Sequence, residues 1–517
     1  MRAIRAQLTP VFYVSAALAL AFVLWGALAP AHLFGVTSDV LAVVVRDFGW
    51  LYLIATTFFL AFAIGLALSR HGRLRLGKEG DRPEFGRLSW FAMLFQAGMG
   101  IGIVFWGVAE PVSHFAAPPY GLATPGSTQA GDLAIRYSFF HWALHPWAVY
   151  AVIAMAIAYF NFRRDEPGLV SAVFRPLLGD RVDGPLGKAI DVLALLATLF
   201  GVAVSLGLGA LQINSGLNYL FGVPVGTTSQ IVIIAVTGVC FMASAATGIQ
   251  RGVKWLSNAS LVLAAALIAF MMVAGPTVLQ LNALTQGMGS YLGDLVPMSF
   301  RMNAFTQDPW IGKWTLFYWA TWISWAPYVG AFIARISRGR SIREFVTGVL
   351  IVPSLVSFLW FAVLGSSAID LDRGLGGRIS AAVQADPAVA TFATLDHFPL
   401  ALVTSLIAVS LVFIFFVAGA DAASIVLGRM SAGGVLNPRA PIKLIWGAAM
   451  AACSAVLLVA GGLDALQQAS ILAAVPFTFI MLGMCAALLR ALGAERRRAG
   501  QEESASASPE PEAAAAG

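Results

Sequence analysis

Apolar runs long enough to cross a membrane recur along the whole chain, separated by short polar or basic stretches. A spanning helix needs about 20 mostly apolar residues. Such runs fall near 9–29, 49–69, 88–110, 137–160, 189–221, 229–247, 255–279, 314–334, 344–367, 398–427, 441–461 and 468–490. They predict an all-α integral membrane protein with twelve transmembrane helices. The fifth and tenth runs are long enough to hide a break or a tilt. Residues 1–30 begin basic and close in Ala-Leu-Ala-Pro-Ala, imitating a signal peptide. The apolar part is too long and too aromatic for one, so it reads as the first span.

The polar positions between the runs set the orientation, because cytoplasmic segments concentrate Lys and Arg. With the N-terminus inside, 26 of the 32 basic residues fall on the cytoplasmic side, leaving Arg46, Arg136, Arg301, Lys313, Arg373 and Arg378 outside. Both termini are therefore expected in the cytoplasm and the chain in the plasma (inner) membrane. The outer segment 286–313 carries Tyr291-Leu292-Gly293-Asp294-Leu295, patterned as an interfacial helix. After Arg496 the sequence turns to Ala, Ser, Glu and Pro, so 493–517 reads as a disordered cytoplasmic tail.

Composition agrees with this plan. The chain is 59% hydrophobic and 11% charged, with mean hydropathy +0.81, whereas soluble domains carry about 25% charged residues. The net charge of +6 lies in the loops and points to topology, not to nucleic acid. Cys240, Cys453 and Cys485 sit in apolar runs without metal-ligand spacing and read as packing residues. With no nucleotide loop or nucleophile elbow, neither an enzyme nor a cofactor is expected.

The chemistry gathers in Trp314–Arg343. On a continuous helix Trp314, Tyr318, Trp322 and Trp325 share a face about 80° wide. Trp314 suits an aromatic belt at the membrane interface. Trp322 and Trp325 lie deeper, where they either pack or bind a cation through their ring faces. Span four repeats the theme with Trp142, Trp147 and Tyr150 within about 140° on the same assumption, and Pro146 can bend that helix. His141 and His145 are intramembrane ionisable groups, and His145 is a candidate proton carrier.

Span three contains Ala97-Gly98-Met99-Gly100-Ile101-Gly102-Ile103. Alternate glycines do not make a helix-packing motif but do weaken the helix, at about 1 kcal/mol each. An interrupted membrane helix is tolerated against a cavity, where transporters bind substrate and ions. Glu110-Pro111 ends the span, and the carboxylate reads as a cap or part of a gate. Thr198 in span five offers a hydroxyl. Asp421 in span ten either caps a broken helix or serves a site.

Several of these segments closely resemble motifs of the betaine/carnitine/choline transporter family. They are W-T-L-F-Y-W-A-T-W-I-S-W in span eight, G-M-G-I-G followed by E-P in span three, W-x4-W-x2-Y in span four, and R-I-S-R-G-R-S-I-R after span eight. The resemblance covers nearly the whole chain. It implies a trimeric secondary transporter with two peripheral helices (1–87) and two inverted five-helix repeats (LeuT-like), 88–285 and 314–492. An aromatic box for a quaternary ammonium solute would be Trp142, Trp147, Tyr150 and Trp322. Trp325 would line the inward path, and Gly98, Met99, Gly100, Ile101 and Gly102 would face the other end of the substrate.

Three departures refine the expectation. Thr321 stands where the family often has Trp, leaving a smaller or more polar edge. Gly102 stands where choline-taking members often have Asp, which favours a zwitterion such as betaine or carnitine, since a zwitterion supplies its own carboxylate. Sodium-coupled members resemble T-S-A-D-S in span ten, whereas this chain has Ala418-Gly419-Ala420-Asp421-Ala422 and pairs Thr198 with Val202. Too few oxygens remain, even counting backbone at Ala97 and Met99, so sodium coupling is disfavoured and protons or exchange are expected. A choline, amine or amino-acid carrier of the same fold, or a membrane osmosensor, are the rival readings.

Overall fold

The computed structural model describes residues 7–98, 100–247, 250–306 and 308–506. Among them the chain is helical throughout, apart from one isolated bridge between Arg75 and Ser341. The long helices are α1 (Pro10–Leu28), α2 (Pro30–Leu68), α3 (Arg87–Gly98), α4 (Ile101–Ala116), α5 (Thr128–Trp142), α6 (Leu144–Ala158) and α7 (Pro185–Phe221). They continue with α8 (Thr227–Thr247), α9 (Gln250–Ala274), α10 (Thr277–Gly293), α11 (Phe317–Ile336), α12 (Ile342–Gly374), α13 (Ala401–Ser431) and α14 (Ala440–Ser506). Among the described residues, eight helices or fused helix pairs are long and apolar enough to cross a membrane, or nine if the bent pair α9–α10 counts as one.

Local chemistry sets several boundaries. Prolines open α1, α2 and α7, where the missing N–H is not needed. The Ser127 and Ser341 hydroxyls accept from the backbone N–H groups of Ala130 and Glu344 and cap α5 and α12. Helix α10 turns 112° away from α9 and lies against α5 and α12, beginning at Thr277, ahead of the segment 286–313 in which an interfacial helix is expected. Helix α14 continues to Ser506, so 493–506 is helical where composition suggested disorder; 507–517 lie outside the described residues.

Three interruptions shape the interior. Helices α3 and α4 are separated at Gly100 (φ −119°, ψ −147°), and α5 and α6 at Ala143 (φ −108°, ψ −118°). Helix α14 kinks at Gly461 and Gly462. Helix α13 runs unbroken through Ala418–Ser424, so Asp421 does not cap a broken helix there. Helix α7 packs against α11, α13 and α14, while α4 packs against α5 and α12. Helices α3, α6 and α14, one from each interruption, pack against α11.

At the arginine-rich end of α11 the chain forms a short ribbon. Leu76 N–H donates to the Arg340 carbonyl (2.8 Å), Gly339 N–H to the Leu76 carbonyl (2.8 Å) and Ile342 N–H to the Leu74 carbonyl (2.9 Å). Gly339 sits at φ +82°, and an added Cβ would come within 2.6 Å of the Arg82 carbonyl carbon. Only glycine fits both demands. The Arg340 guanidinium is buried over the Trp90 ring, 4.0 Å from its centroid, and donates to Glu344 and the Phe85 carbonyl, each at 2.7 Å. An arginine that marks topology in the sequence thus also pins the ribbon.

Candidate substrate site

The aromatic stripe that runs from the π-helical turn Gly312–Leu316 into α11 forms a ladder. Trp314 stacks on Tyr318 (6.4 Å, 26°), and Tyr318 on Trp322 (6.1 Å, 18°), as side chains four apart on one helix face do. Trp142 meets this ladder from the end of α5, edge-to-face with Trp322 at 4.8 Å and with Tyr318 at 5.6 Å.

The break at Ala143 has a local consequence. It frees the His141 carbonyl from the helical ladder, and the Trp322 indole N–H donates to that oxygen at 2.9 Å. The Leu144 N–H beyond the break donates to the Tyr291 hydroxyl at 3.3 Å. Buried backbone groups need partners, and here aromatic side chains of α10 and α11 supply them.

A small cavity of about 30 Å³ lies among α4, α5, α7 and α11. Its wall includes Trp142, Tyr318, Trp322, Trp325, Thr321, Gly100 and Gly102, with Trp106, Phe317, Ser205 and Leu208 completing it among the described residues. An added Cβ at Gly102 would lie 3.1 Å from Trp142, and one at Gly100 3.6 Å from Trp325. Gly100 and Gly102 therefore bring bare backbone to the rings. Ile101 opens α4 and is buried. Met99 lies outside the described residues, as do the side-chain surroundings of Ala97 and Gly98.

Trp147 and Tyr150 are placed differently from Trp142. Both are buried, Tyr150 against Trp322 at 6.2 Å and Trp147 against Tyr150 at 5.7 Å. They stand behind Trp322 and are not on the cavity wall. Thr321 does reach the wall. Its hydroxyl bonds the Phe317 carbonyl (2.8 Å) and pairs with Ser470 of α14 at 3.0 Å, so the family's bulky ring is replaced by a hydroxyl corner.

The ion-coupling candidates separate as well. Thr198 donates to its own helix at the Ala194 carbonyl (2.9 Å), a common internal use of such a hydroxyl. Asp421 takes a long contact from Ser244 (3.4 Å), and its Oδ1 has no hydrogen-bond partner among the described residues. His145 pairs with the Ser299 hydroxyl (3.1 Å) and stacks on Trp319.

Two features escaped sequence reasoning. Lys443 of α14 is buried and donates to the Ala245 carbonyl at 2.6 Å. Glu110, read as a cap or gate, is fully buried at the back of the ladder. Its Oε1 lies 2.6 Å from His141 Nδ1 and 3.3 Å from His114 Nε2. Its Oε2 accepts from the Trp142 indole N–H (2.8 Å) and the Tyr318 hydroxyl (2.5 Å). The signals were the three-residue gap to His114 and the two histidines of span four, but the partners on α5 and α11 meet only in the fold.

Comparison with known proteins fits this geometry. The profile of betaine/carnitine/choline family transporters (BCCT) matches residues 10–497. The chain is 50% identical over 497 residues to the glycine betaine transporter OpuD of Bacillus subtilis (strain 168), covering 95% of this chain and 96% of that protein. A probable glycine betaine transporter of Desulfitobacterium hafniense (strain Y51) is 45% identical over 93% of this chain and 97% of its own. An ectoine/hydroxyectoine transporter of Virgibacillus pantothenticus is 42% identical over 96% and 98% respectively. With likeness running from the first apolar run to the last, the chain belongs to the betaine/carnitine/choline transporter family and is a multi-pass membrane transporter, not an enzyme.

Proposed function

We propose that this protein carries glycine betaine or a related quaternary ammonium zwitterion by alternating access of one five-helix repeat against the other. In this reading the chain crosses the inner membrane twelve times, keeps both termini in the cytoplasm and assembles as a homotrimer. The observation that carries the substrate reading is that one cavity is lined both by aromatic rings and by a helix start. Trp142, Tyr318, Trp322 and Trp325 offer ring surfaces. The start of α4 at Gly100, without a side-chain cap, offers backbone N–H groups beside them.

A trimethylammonium has no N–H, so ring quadrupoles recognise it where hydrogen-bond acceptors cannot single it out, at about 2 kcal/mol or less per ring. A carboxylate is favoured at a helix N-terminus. A solute with both groups satisfies both features, and choline satisfies one. Sodium coupling lacks support, because Val202, Ala418, Ala420 and Ala422 offer no side-chain oxygen. A proton gradient or substrate exchange is the proposed drive.

A second reading, an ectoine-type solute whose cation carries N–H groups, draws on the Thr321–Ser470 hydroxyl corner, which can accept such hydrogens. Uptake of radiolabelled glycine betaine, carnitine, choline and ectoine into proteoliposomes, with sodium, proton and internal-solute gradients imposed separately, tests these readings. Betaine uptake without sodium is expected. Strict sodium dependence, or failure of betaine to compete, would reject the corresponding part.

A further inference from the structure

The cluster behind the aromatic ladder has an arrangement that packing alone does not require. Glu110 and His114 on α4 and His141 on α5 are all fully buried, and one ligating atom from each lies within 4.8 Å of the others. Such a trio invites comparison with a metal site. Around a tetrahedral zinc with bonds of 2.0–2.1 Å, neighbouring donor atoms stand about 3.3 Å apart. The 2.6 Å between Glu110 Oε1 and His141 Nδ1 is a hydrogen-bond distance. The trio is arranged around a shared proton.

We propose that Glu110, His141 and His114 form the proton-binding site that couples a proton gradient to solute transport. This rests on the transporter reading above and adds the site of coupling. The site takes one proton from water and returns it to water, with no covalent bond to the solute. In the empty form neutral His141 donates through Nδ1 to the Glu110 carboxylate and accepts from the Thr315 hydroxyl through Nε2, 3.0 Å away. In the loaded form Nε2 also carries a proton and donates to the same oxygen. A hydroxyl is a partner that serves both forms, because it both donates and accepts. The His114 Nδ1 is buried without a partner among the described residues, a second place for the proton.

Loading neutralises a buried anion, and the linkage to the solute is geometric. Two of the groups that donate to Glu110, the Trp142 indole and the Tyr318 hydroxyl, belong to rings of the cavity wall. A change in charge at Glu110 therefore changes how firmly those rings are held and how negative the wall behind them is.

Several polar and aromatic groups surround the trio. They are Tyr137 on α5 and Trp310 beside His114, with Tyr318 on α11. Tyr120 reaches Thr315 and is influenced by Arg301 and Asp308. Arg136, Arg301 and Asp294 act on Tyr137, and His141 acts on His145. Helix α12 presents Trp360 and Gly365 to α4, neither of them titratable. Half-buried Tyr120, with Thr315, provides a polar line toward the surface.

The test uses the full-length protein in proteoliposomes loaded with a pH-sensitive dye, and in detergent. External glycine betaine is expected to acidify the lumen, and its apparent affinity to change by up to about tenfold per pH unit where the site titrates. Glu110→Gln should abolish the acidification and flatten the affinity profile. Thr315→Val, which cannot accept from the protonated imidazole, should move the midpoint about one unit toward acid. Betaine uptake without lumenal acidification, or acidification preserved in Glu110→Gln, would overturn the proposal. An infrared pH titration without solute is independent of the substrate reading and of folding of a variant. There the wild type should show carboxylate and imidazole bands that titrate together, and their absence likewise overturns the site. Loss of betaine binding alone, with those bands present, would reject only the substrate reading.

Discussion

Trp142 stands edge-on to Trp322, with ring centroids 4.8 Å apart and planes at 76°, and the two indole N–H groups point to different anchors. Trp142 donates to Glu110 and Trp322 to the His141 carbonyl. The corner is held from behind, so its open faces are left to the cavity.

Replacing Trp322 with Leu removes one ring from the wall and the donor to His141. Loss of about 2 kcal/mol corresponds to an affinity for glycine betaine weakened about thirtyfold. Isothermal calorimetry on purified protein checks this, and an unchanged affinity would remove the aromatic argument.

Tyr150→Phe separates the cavity wall from the layer behind it. The Tyr150 hydroxyl is buried without a hydrogen-bond partner among the described residues, so its removal should leave affinity within about twofold and stability unchanged or higher. A tenfold loss of betaine binding would place this hydroxyl at the solute after all.

Gly102→Asp introduces a carboxylate at the cavity. The new Cβ lies 3.1 Å from Trp142, so that ring must yield by a few tenths of an ångström. Competition assays should show the choline-to-betaine affinity ratio rising, because choline gains a counterion and betaine's own carboxylate meets a like charge. No change in the ratio would defeat the counterion argument.

At the arginine-rich end, the hydrogen bond from Arg338 holds the Asp81 carboxyl below its ordinary range, with the Lys78 backbone N–H adding to it. A depressed carboxyl stabilises the fold above its unfolded-state value and loses that contribution as pH falls through the folded value. Asp81→Asn should therefore lower the melting temperature slightly at about pH 7 and converge with wild type in acid. Both groups are partly exposed, so the effect is small and shrinks in salt. Thermal melts across pH in detergent read it directly.

The sequence carried the helical class, the interrupted third span and the ladder of α11, because each depends on local periodicity or on glycine. It set Trp142, Trp147 and Tyr150 on one arc, whereas in the structure Trp142 and Tyr150 each reach Trp322 and Trp147 reaches Tyr150. A helical wheel assumes one continuous helix, and the break at Ala143 changes the frame between Trp142 and the residues after it. Glu110 was undervalued because its partners lie 31 and 208 positions away. His145 is the histidine that the sequence reading singles out as a proton carrier, and only packing assigns His141 to Glu110 and His145 to Ser299.

The ribbon between Leu74–Leu76 and Gly339–Ile342 has a mechanical meaning. It sews the end of α11 to the segment that follows α2, with Arg340 as the rivet. The helix that carries Trp322 is thereby moored to the periphery at one end. If transport is by alternating access as proposed, the cavity is expected to open by movement of other elements against α11, with the breaks at Gly100 and Ala143 as the joints nearest Trp142 and Trp322. In this arrangement α11 serves as the fixed jaw of a clamp.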